Sequence, residues 1–258
     1  MDTFLFDEII FGPVKSRRLG ISLGINLLPT KKKICTFDCI YCECGFNEDH
    51  KVIDHLPKRD VVMKTLADKI EALLKEGIVP NVITFAGNGE PTVHPDFELI
   101  IDDTIDVRNR YLPDAKIAVL TNSTQLHKPA IFRSLQKIDN AILKLDGGNK
   151  EMVERLDVPF KQFSFDNTVE LLVQFGHKAI IQTMFLKGDI NGELVDNSSE
   201  EEVDQWLTVI NQIKPREVMI YTIDRATPVK SLKKVELTRL NEIAHRVNAL
   251  GIKTQVSG

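Results

Sequence analysis

The chain has 258 residues, of which 43% are apolar and 27% charged, and its formal net charge is −4. This length and apolar content suffice for one large core, so we expect a single domain over residues 1 to 258. The acidity argues against broad attraction to nucleic acid, and the lack of an apolar run of about 18 residues excludes a membrane-spanning helix.

The amino-terminal segment "MDTFLFDEIIFG" places acids among its apolar residues and has no basic leader, so we do not expect a signal peptide. Residues 1 to 19 are treated as an N-terminal extension. We expect a cytoplasmic protein. In that reducing compartment, clustered cysteines bind metal or carry out redox chemistry more often than they form disulfides.

A basic segment overlaps the end of this extension. Residues 15 to 33 contain six cations and no acid, which gives the segment a charge of +6 and the remainder of the chain −10. The segment suits a phosphate-bearing or carboxylate substrate, and it is equally well explained as solvated cations beside a loop. The six residues are Lys15, Arg17, Arg18, Lys31, Lys32 and Lys33.

Short β-branched runs alternate with helical patterns along the chain. The strands are nearly continuous apolar runs, as in a parallel sheet that is covered on both faces. Strands are predicted at residues 20–28, 81–87, 116–122, 140–146, 179–185 and 217–223, with "IKTQV" as an optional last strand. Six strand–helix units predict an α/β fold that curls toward an incomplete barrel.

Three helices carry recognisable end signals. The predicted helix at residues 59–77 ends at Gly77, and the one at residues 235–251 ends at Gly251, each a candidate left-handed cap. The helix at residues 199–213 opens with Ser199 and Glu202 in capping-box spacing.

All four cysteines lie within ten positions of one loop region, residues 29 to 58. They are Cys35, Cys39, Cys42 and Cys44, and the first three have the spacing C-x3-C-x2-C. Loops after the strands of such folds carry function, and this loop follows the first strand. Three closely spaced thiolates suit three corners of a cubane iron–sulfur cluster and leave the fourth iron open to a small molecule.

Other uses of the cysteines stay open at this point. A structural zinc site needs a second ligand pair, for which only Cys44, His50 or His55 is nearby. A catalytic thiol or a disulfide is a weaker interpretation than structural zinc, since no spacing gives a lone nucleophile with an evident partner.

A glycine-rich loop, "FAGNGEPTVHPDF", follows the second predicted strand. Gly87 and Gly89 remove side chains where a ligand must approach the backbone, and Glu90 adds an acid. A tight turn between strand and helix explains the glycines equally well, but it does not require the acid.

Polar residues also end several later strands. At the carboxyl ends of barrel strands they indicate ligand contacts, whereas packing alone would favour apolar residues. Lys144 alternates with Leu143 and Leu145 and is a candidate for the inner face. The other strand-end candidates used below are Asn122, Asp146 and Gln182.

The cysteine motif "CTFDCIYC", with Tyr41 before its last cysteine, resembles the cluster motif of the radical S-adenosylmethionine (SAM) superfamily. Six blocks in order, covering most of the chain, resemble the group that includes the radical enzymes of wyosine formation in transfer RNA. These blocks are "GPVKSRRLGISLGINLLP", "CTFDCIYCECG", "GNGEPTVHPDF", "LTNST", "LKLDG" and "YTIDR".

The resemblance implies a fold, two cofactors and a set of site residues. It implies a partial (βα)6 barrel in which Cys35, Cys39 and Cys42 hold a [4Fe-4S] cluster. S-adenosylmethionine would chelate the open iron and be cleaved reductively to a 5′-deoxyadenosyl radical, which takes hydrogen from a substrate. The family's motif for the methionine amino group matches Gly87, Asn88, Gly89 and Glu90. Family members bind the rest of the nucleoside from later strands, which implicates Asn122, Asp146 and Gln182. Tyr41 is placed beside the cluster or the adenine, with a core aromatic as the alternative.

The resemblance leaves the substrate open. A transfer RNA base is the leading hypothesis; a peptide- or protein-directed radical enzyme or activase, and a non-catalytic iron–sulfur or zinc-binding regulator, are the alternatives. The wyosine enzymes are associated with a second cluster, for which this chain has only Cys44 to spare. It also shows no flavin-binding extension, so we expect an external electron donor such as flavodoxin or ferredoxin.

Overall fold

The fold is an open, mainly parallel sheet with helices on its outer face. A computed structural model describes residues 4–16, 20–49, 54–190 and 192–258. The strands are β1 (Ile10–Ser16), β2 (Gly20–Ile25), β3 (Val82–Phe85), β4 (Lys116–Thr121), β5 (Asn140–Lys144), β6 (Ala179–Ile190), β7 (Glu193–Asp196), β8 (Glu217–Thr222), β9 (Lys233–Lys234) and β10 (Lys253–Ser257). The α-helices are α1 (Arg59–Lys75), α2 (Phe97–Tyr111), α3 (Pro129–Lys137), α4 (Lys150–Asp157), α5 (Phe165–Phe175), α6 (Glu200–Ile213) and α7 (Leu237–Ala249).

The sheet runs in the order β1-β2-β3-β4-β5-β6-β8-β10, and every pair from β2 to β10 is parallel. β1 lies antiparallel against β2. Within the described ranges no pairing joins β10 back to β1 or β2, so the barrel is incomplete. The predicted α/β fold with six strand–helix units is confirmed, and the optional strand "IKTQV" forms β10.

The main core lies between the helices and the outer face of the sheet. Alternate strand residues such as Ile83, Ile117 and Ile181 contribute to it. The helices add residues three and four positions apart, which is the spacing of one helix face. On α1 these residues are Val62, Leu66, Ile70 and Leu73.

The inner face of the sheet is apolar at one end and mainly polar at the other. Its floor is a small buried cluster of Val82, Ala118, Ile142, Ile180 and Met219. Side chains two positions further along the same strands face the same way. They are Thr84, Leu120, Lys144, Gln182 and Tyr221, and four of these five are polar. This layer lies toward the carboxyl ends of the strands, so Lys144 faces inward as its phase predicts.

Three strand boundaries differ from the predictions for local reasons. Strand β6 continues to Ile190 because β7 and β9 pair with its extension. Strand β1 forms within the predicted N-terminal extension, since it pairs with the edge of β2. The first predicted strand ends at Ile25, because the next residue, Asn26, accepts the Leu28 N–H at 3.1 Å through its side chain.

The predicted helix ends are found at their glycines and at Ser199. Gly77 and Gly251 follow their helices with φ of +75° and +77°. The Ser199 hydroxyl accepts the Glu202 N–H, while the Glu202 carboxylate accepts from Asn149, the N-cap residue of α4, and so completes no capping box. Among the described residues, no helix is long and apolar enough to cross a membrane.

Candidate functional site

The cysteine loop covers the carboxyl ends of the strands. Phe37, Ile40 and Tyr41 belong to a second buried apolar cluster with side chains of α4 and β6. Cys39 and Cys44 are buried, and Cys35 and Cys42 are half-buried. Because the loop has little regular secondary structure, its position depends on the contacts described next.

The glycine-rich loop supports the cysteine loop from one side. Ile34 donates its N–H to the Asn88 carbonyl and accepts from the Glu90 N–H, both at 3.0 Å. A Cβ at Gly89 (φ +129°) would lie 1.9 Å from the Ile34 carbonyl oxygen, and one at Gly87 (φ +145°) would lie 2.4 Å from Asn26 Oδ1. The close approach that these glycines permit is therefore made by the protein's own backbone and side chains.

The side chain of Asn88 forms its hydrogen bonds with the backbone of Phe6 and Pro29. Its Oδ1 accepts the Phe6 N–H, and its Nδ2 donates to the carbonyls of Phe6 and Pro29, all at 2.8 Å. The structure thus brings the backbone of Asn88 to the cysteine loop but not its amide, which instead joins the amino-terminal segment to the loop.

Helix α4 and the residues after it support the loop from the other side. The carbonyls of Asp157 and Leu156 accept the N–H groups of Asp38 and Ile40 at 3.0 Å. The Phe160 N–H donates to the Thr36 carbonyl at 3.1 Å. The carboxyl end of α4 and the residues after it therefore hold residues 36 to 40 of the cysteine loop.

Lys33 lies inside the loop, not on its surface. Its side chain is 1% exposed, and its ammonium contacts Asp38 Oδ1 at 3.1 Å and donates to the Gly45 carbonyl at 2.8 Å. Burial alone would lower the pKa of Lys33, but the thiolate charges of Cys42, Cys35 and Cys39 and that of Asp38 together raise it. One of the six cations of the basic segment therefore lies in the interior of the loop. Lys15 and Lys31 are exposed, and Arg17 and Arg18 lie outside the described residues.

Lys33→Met is expected to lower the free energy of unfolding of the metal-free protein by about 3 kcal/mol, because Asp38 loses its buried cation. Lys32→Met is the matched control, since Lys32 is only half-buried, and it should stay within about 0.5 kcal/mol of the parent. Urea unfolding measures both. Equal stability of the two variants would show that Lys33 does not hold the loop.

Glu90 and Asn122 meet beside Cys35. Glu90 is 2% exposed, and its Oε1 accepts from the Thr92 N–H at 3.1 Å and from the Thr92 and Thr121 hydroxyls at 2.5 and 2.7 Å. Its Oε2 accepts the Asn122 N–H at 2.7 Å. Burial raises the pKa of Glu90, and these bonds oppose the rise. The Asn122 amide donates to Thr36 Oγ1 at 2.8 Å and lies 3.6 Å from the Cys35 Sγ.

A second polar group surrounds Lys144 on the inner face. The Lys144 ammonium contacts Asp157 at 2.7 Å, Cys39 Sγ at 3.0 Å and Asp146 at 3.1 Å. Tyr41 donates its hydroxyl to Asp146 and lies 3.5 Å from Asp157. Gln182 pairs with Lys144 in register on the adjacent strand and is 8% exposed. Tyr41, Asp146 and Gln182 are thus brought together around Lys144, the candidate for the inner face, and around Asp157, which was not predicted.

The surroundings of the three thiols act on their pKa values in opposite directions. Burial raises the pKa of Cys39, and burial followed by Glu90 raises that of Cys35 to about 12. A hydrogen bond from Cys44 lowers the pKa of Cys42 to about 6. Metal binding requires deprotonated sulfur, and the two ammonium groups favour it by opposing these rises, Lys33 at Cys35 and Lys144 at Cys39.

The donor set fits an iron–sulfur cluster. No three Cys, His, Asp or Glu side chains of the described ranges are grouped to hold one metal ion. A cubane makes no such demand, because it binds each thiolate to a different iron. Of the two histidines considered for zinc, His55 is exposed and His50 lies outside the described residues.

Comparison with known proteins decides the family. A model of the radical SAM superfamily matches residues 32–197, which include the cysteine loop, the glycine-rich loop and strands β3 to β6. The chain belongs to the radical SAM superfamily. This match confirms the family resemblance predicted from the cysteine motif. Members of this superfamily cleave S-adenosylmethionine with a [4Fe-4S] cluster.

Several curated proteins are similar to this chain over most of its length. A protein named GTPase Obg from Brachyspira hyodysenteriae is 33% identical over 233 residues, covering 87% of this chain but only 31% of that protein. A UPF0026 protein from Helicobacter pylori is 29% identical over 233 residues, covering 88% and 70%. One from Methanocaldococcus jannaschii is 26% identical over 254 residues, covering 96% and 74%. The chain thus spans about a third of the first relative.

Solved radical SAM structures share the fold at low identity. A methyltransferase from Sphaerobacter thermophilus has a TM-score of 0.67 at 13% identity, covering 92% of this chain and 65% of its own. Streptococcus suis SuiB bound to its precursor peptide SuiA has a TM-score of 0.63 at 17% identity, covering 88% of this chain and 47% of its own. TYW1 with a lysine-pyruvate adduct has a TM-score of 0.62 at 13% identity, covering 88% of this chain and 73% of its own. These likenesses bear on the fold alone.

Two residues of the site were missed as site residues by the sequence interpretation. Lys33 was counted among surface cations because it stands in a run of three lysines, and Asp157 ends a helix with no motif around it. Only the order of burial within the "KKK" run distinguishes Lys33, and that order requires the folded loop. Asp157 carries no signal in the sequence that we can name.

Proposed function

We propose that this radical SAM protein is an enzyme in which Cys35, Cys39 and Cys42 hold the [4Fe-4S] cluster. The observation that carries the proposal is the placement of these thiols on one braced loop at the carboxyl edge of the sheet, with buried ammonium groups beside them. When bound, the reduced cluster supplies the electron that cleaves S-adenosylmethionine and so makes a radical available to a substrate.

In this proposal Glu90 orients the methionine ammonium. Its Oε2 accepts one bond, from the Asn122 N–H, whereas Oε1 accepts three. Oε2 therefore has the spare lone pair for a charge-assisted hydrogen bond. Gly87, Asn88 and Gly89 position this carboxylate and the cysteine loop through their backbone.

The remaining candidates line the same space from later strands. Asn122 is tied to the Cys35 segment, and Asp146 and Gln182 stand beside Lys144 on the inner face. We propose that they contact the nucleoside, and that Tyr41 packs beside the cluster while its hydroxyl fixes Asp146. The apolar cluster over the strand ends, which includes Phe37 and Ile40, excludes water from the site.

Reductive cleavage of S-adenosylmethionine tests the proposal. The protein, reconstituted with iron and sulfide without oxygen, is mixed with dithionite and S-adenosylmethionine, and 5′-deoxyadenosine is measured by chromatography. We expect its release to require the reductant and to be absent from a variant with Cys35, Cys39 and Cys42 all replaced by alanine. An intact cluster without any 5′-deoxyadenosine would favour a non-catalytic iron–sulfur protein.

For the substrate, we propose an RNA base, with one catalytic domain over the chain and an external flavodoxin or ferredoxin as electron donor. The resemblance to the wyosine group and the cations flanking the cysteine loop support RNA. Lys31 is exposed and Lys32 half-buried at the start of this loop, and we propose that both lysines contact phosphates. A peptide substrate is the competing outcome of the test below.

Lys31→Gln/Lys32→Gln is expected to weaken binding of a transfer RNA mixture and to reduce the slope of log affinity against log salt by about 2, one phosphate contact for each lysine. Lys69→Gln/Lys75→Gln on α1 is the control, since Lys69 is also half-buried and Lys75 exposed. Fluorescence anisotropy at several salt concentrations measures both. Salt-independent binding, or the same loss in both double variants, would favour the peptide substrate.

A further inference from the structure

The Lys144 ammonium contacts three groups that carry or can carry negative charge, one of which is a sulfur. They are Asp157 Oδ1 at 2.7 Å, Cys39 Sγ at 3.0 Å and Asp146 Oδ2 at 3.1 Å. A lysine ammonium has three N–H donors. One of them donates to the Cys39 sulfur, and the two carboxylates form ion pairs with the same ammonium.

This group is buried and closed by aromatic rings. The side chain of Lys144 is 14% exposed, and those of Asp146 and Asp157 are 0% and 2% exposed. The ammonium lies 4.6 Å from the ring centroid of Tyr41 and 5.6 Å from that of Phe37. Charges act more strongly on each other in such surroundings than at the surface.

The two carboxylates are fixed from outside the lysine. Asp146 accepts the Met184 N–H at 2.8 Å through Oδ1 and the Tyr41 hydroxyl through Oδ2. Asp157 ends α4, whose carbonyls hold the backbone of the cysteine loop. Because β5 and α4 set these positions, the two carboxylates hold the ammonium beside Cys39.

We propose that Lys144 is a positioning residue that raises the reduction potential of the cluster through Cys39, with Asp157 opposing it. The proposal rests on the proposed function, since it assumes that Cys39 is a cluster ligand. An added electron makes the cluster more negative, so a fixed cation that donates to a ligand sulfur favours the reduced form, and a fixed anion disfavours it. The lysine thus eases transfer of an electron from the external donor to the cluster.

Opposite substitutions test the sign of this effect. We expect Lys144→Met to lower the equilibrium constant for cluster reduction about tenfold, which moves the midpoint about 59 mV more negative for one electron. Asp157→Asn should move it to a more positive potential, and Lys144→Arg should move it less than Lys144→Met. Lys75→Met, which removes a remote exposed charge, should leave it unchanged. The midpoints come from redox titration at pH 8 followed by electron paramagnetic resonance, without S-adenosylmethionine.

The outcomes separate this inference from the proposed function. Opposite shifts for Lys144→Met and Asp157→Asn support it, since a merely structural role gives no reason for them. If Lys144→Met fails to assemble a cluster, Asp157→Asn decides alone, and an unchanged or more negative midpoint overturns the inference. If the parent protein cleaves S-adenosylmethionine while no variant shifts, only the inference fails. A parent protein without a cluster overturns both.

Discussion

Alanine replacement of Cys35, Cys39 or Cys42 is expected to reduce bound iron from about four atoms per chain to none. Each thiolate would hold a different iron, so no neighbouring side chain replaces a missing one. Cys44 is not assigned a ligand role, because its thiol donates to the Gly87 carbonyl at 3.6 Å. Cys44→Ala should therefore retain the iron of the parent protein.

Iron and sulfide analysis of the reconstituted variants, with the visible absorption of the cluster, measures this difference. Cys44→Ala is a matched control, because it removes the same side chain from the same loop. Loss of iron in Cys44→Ala comparable to that in Cys39→Ala would show that the ligand assignment is wrong. Full iron in any of the three other variants would do the same.

Gly89→Ala is expected to lower the free energy of unfolding by about 4 kcal/mol, combining backbone strain at positive φ with overpacking. The new Cβ would lie 1.9 Å from the Ile34 carbonyl, which is backbone and cannot rotate away. Ile34 precedes Cys35, so the clash should also displace the first thiol and lower the iron content. Thermal or urea unfolding and iron analysis measure the two effects.

Gly77→Ala separates the clash from the strain. Gly77 also has positive φ, at +75°, but nothing lies within 4 Å of its would-be Cβ. Gly77→Ala should lower the free energy of unfolding by only about 1 kcal/mol, the cost of a left-handed conformation for alanine. Similar losses for Gly77→Ala and Gly89→Ala would contradict the close packing of the glycine-rich loop against the cysteine loop.

The fold could be predicted from the sequence because its signals are local. Nearly continuous apolar runs such as residues 140–146 and glycine caps such as Gly77 reflect short-range preferences that the tertiary structure preserves. The cysteine spacing is equally local. The ends of β2 and β6 were missed because they depend on an Asn26 side-chain bond and on pairing with β7 and β9.

The environment of the candidate site could be predicted only in part, because it is assembled from distant segments. The sequence indicated the polar strand ends, including Asp146, but not that Asp157 would join Lys144 from a helix end. It also did not indicate that the Asn88 side chain binds the backbone of Phe6 and Pro29. These pairings join residues far apart in the chain, and no local pattern encodes them.

The central claim is that one iron of the cluster is held by no cysteine and takes S-adenosylmethionine. The most direct measurement is the Mössbauer spectrum of protein reconstituted with iron-57, recorded with and without S-adenosylmethionine. We predict that one iron site of the four changes its spectrum when S-adenosylmethionine is added. Four sites that all keep the parameters of sulfur-ligated iron, or purified protein that carries zinc in place of iron, would contradict the account.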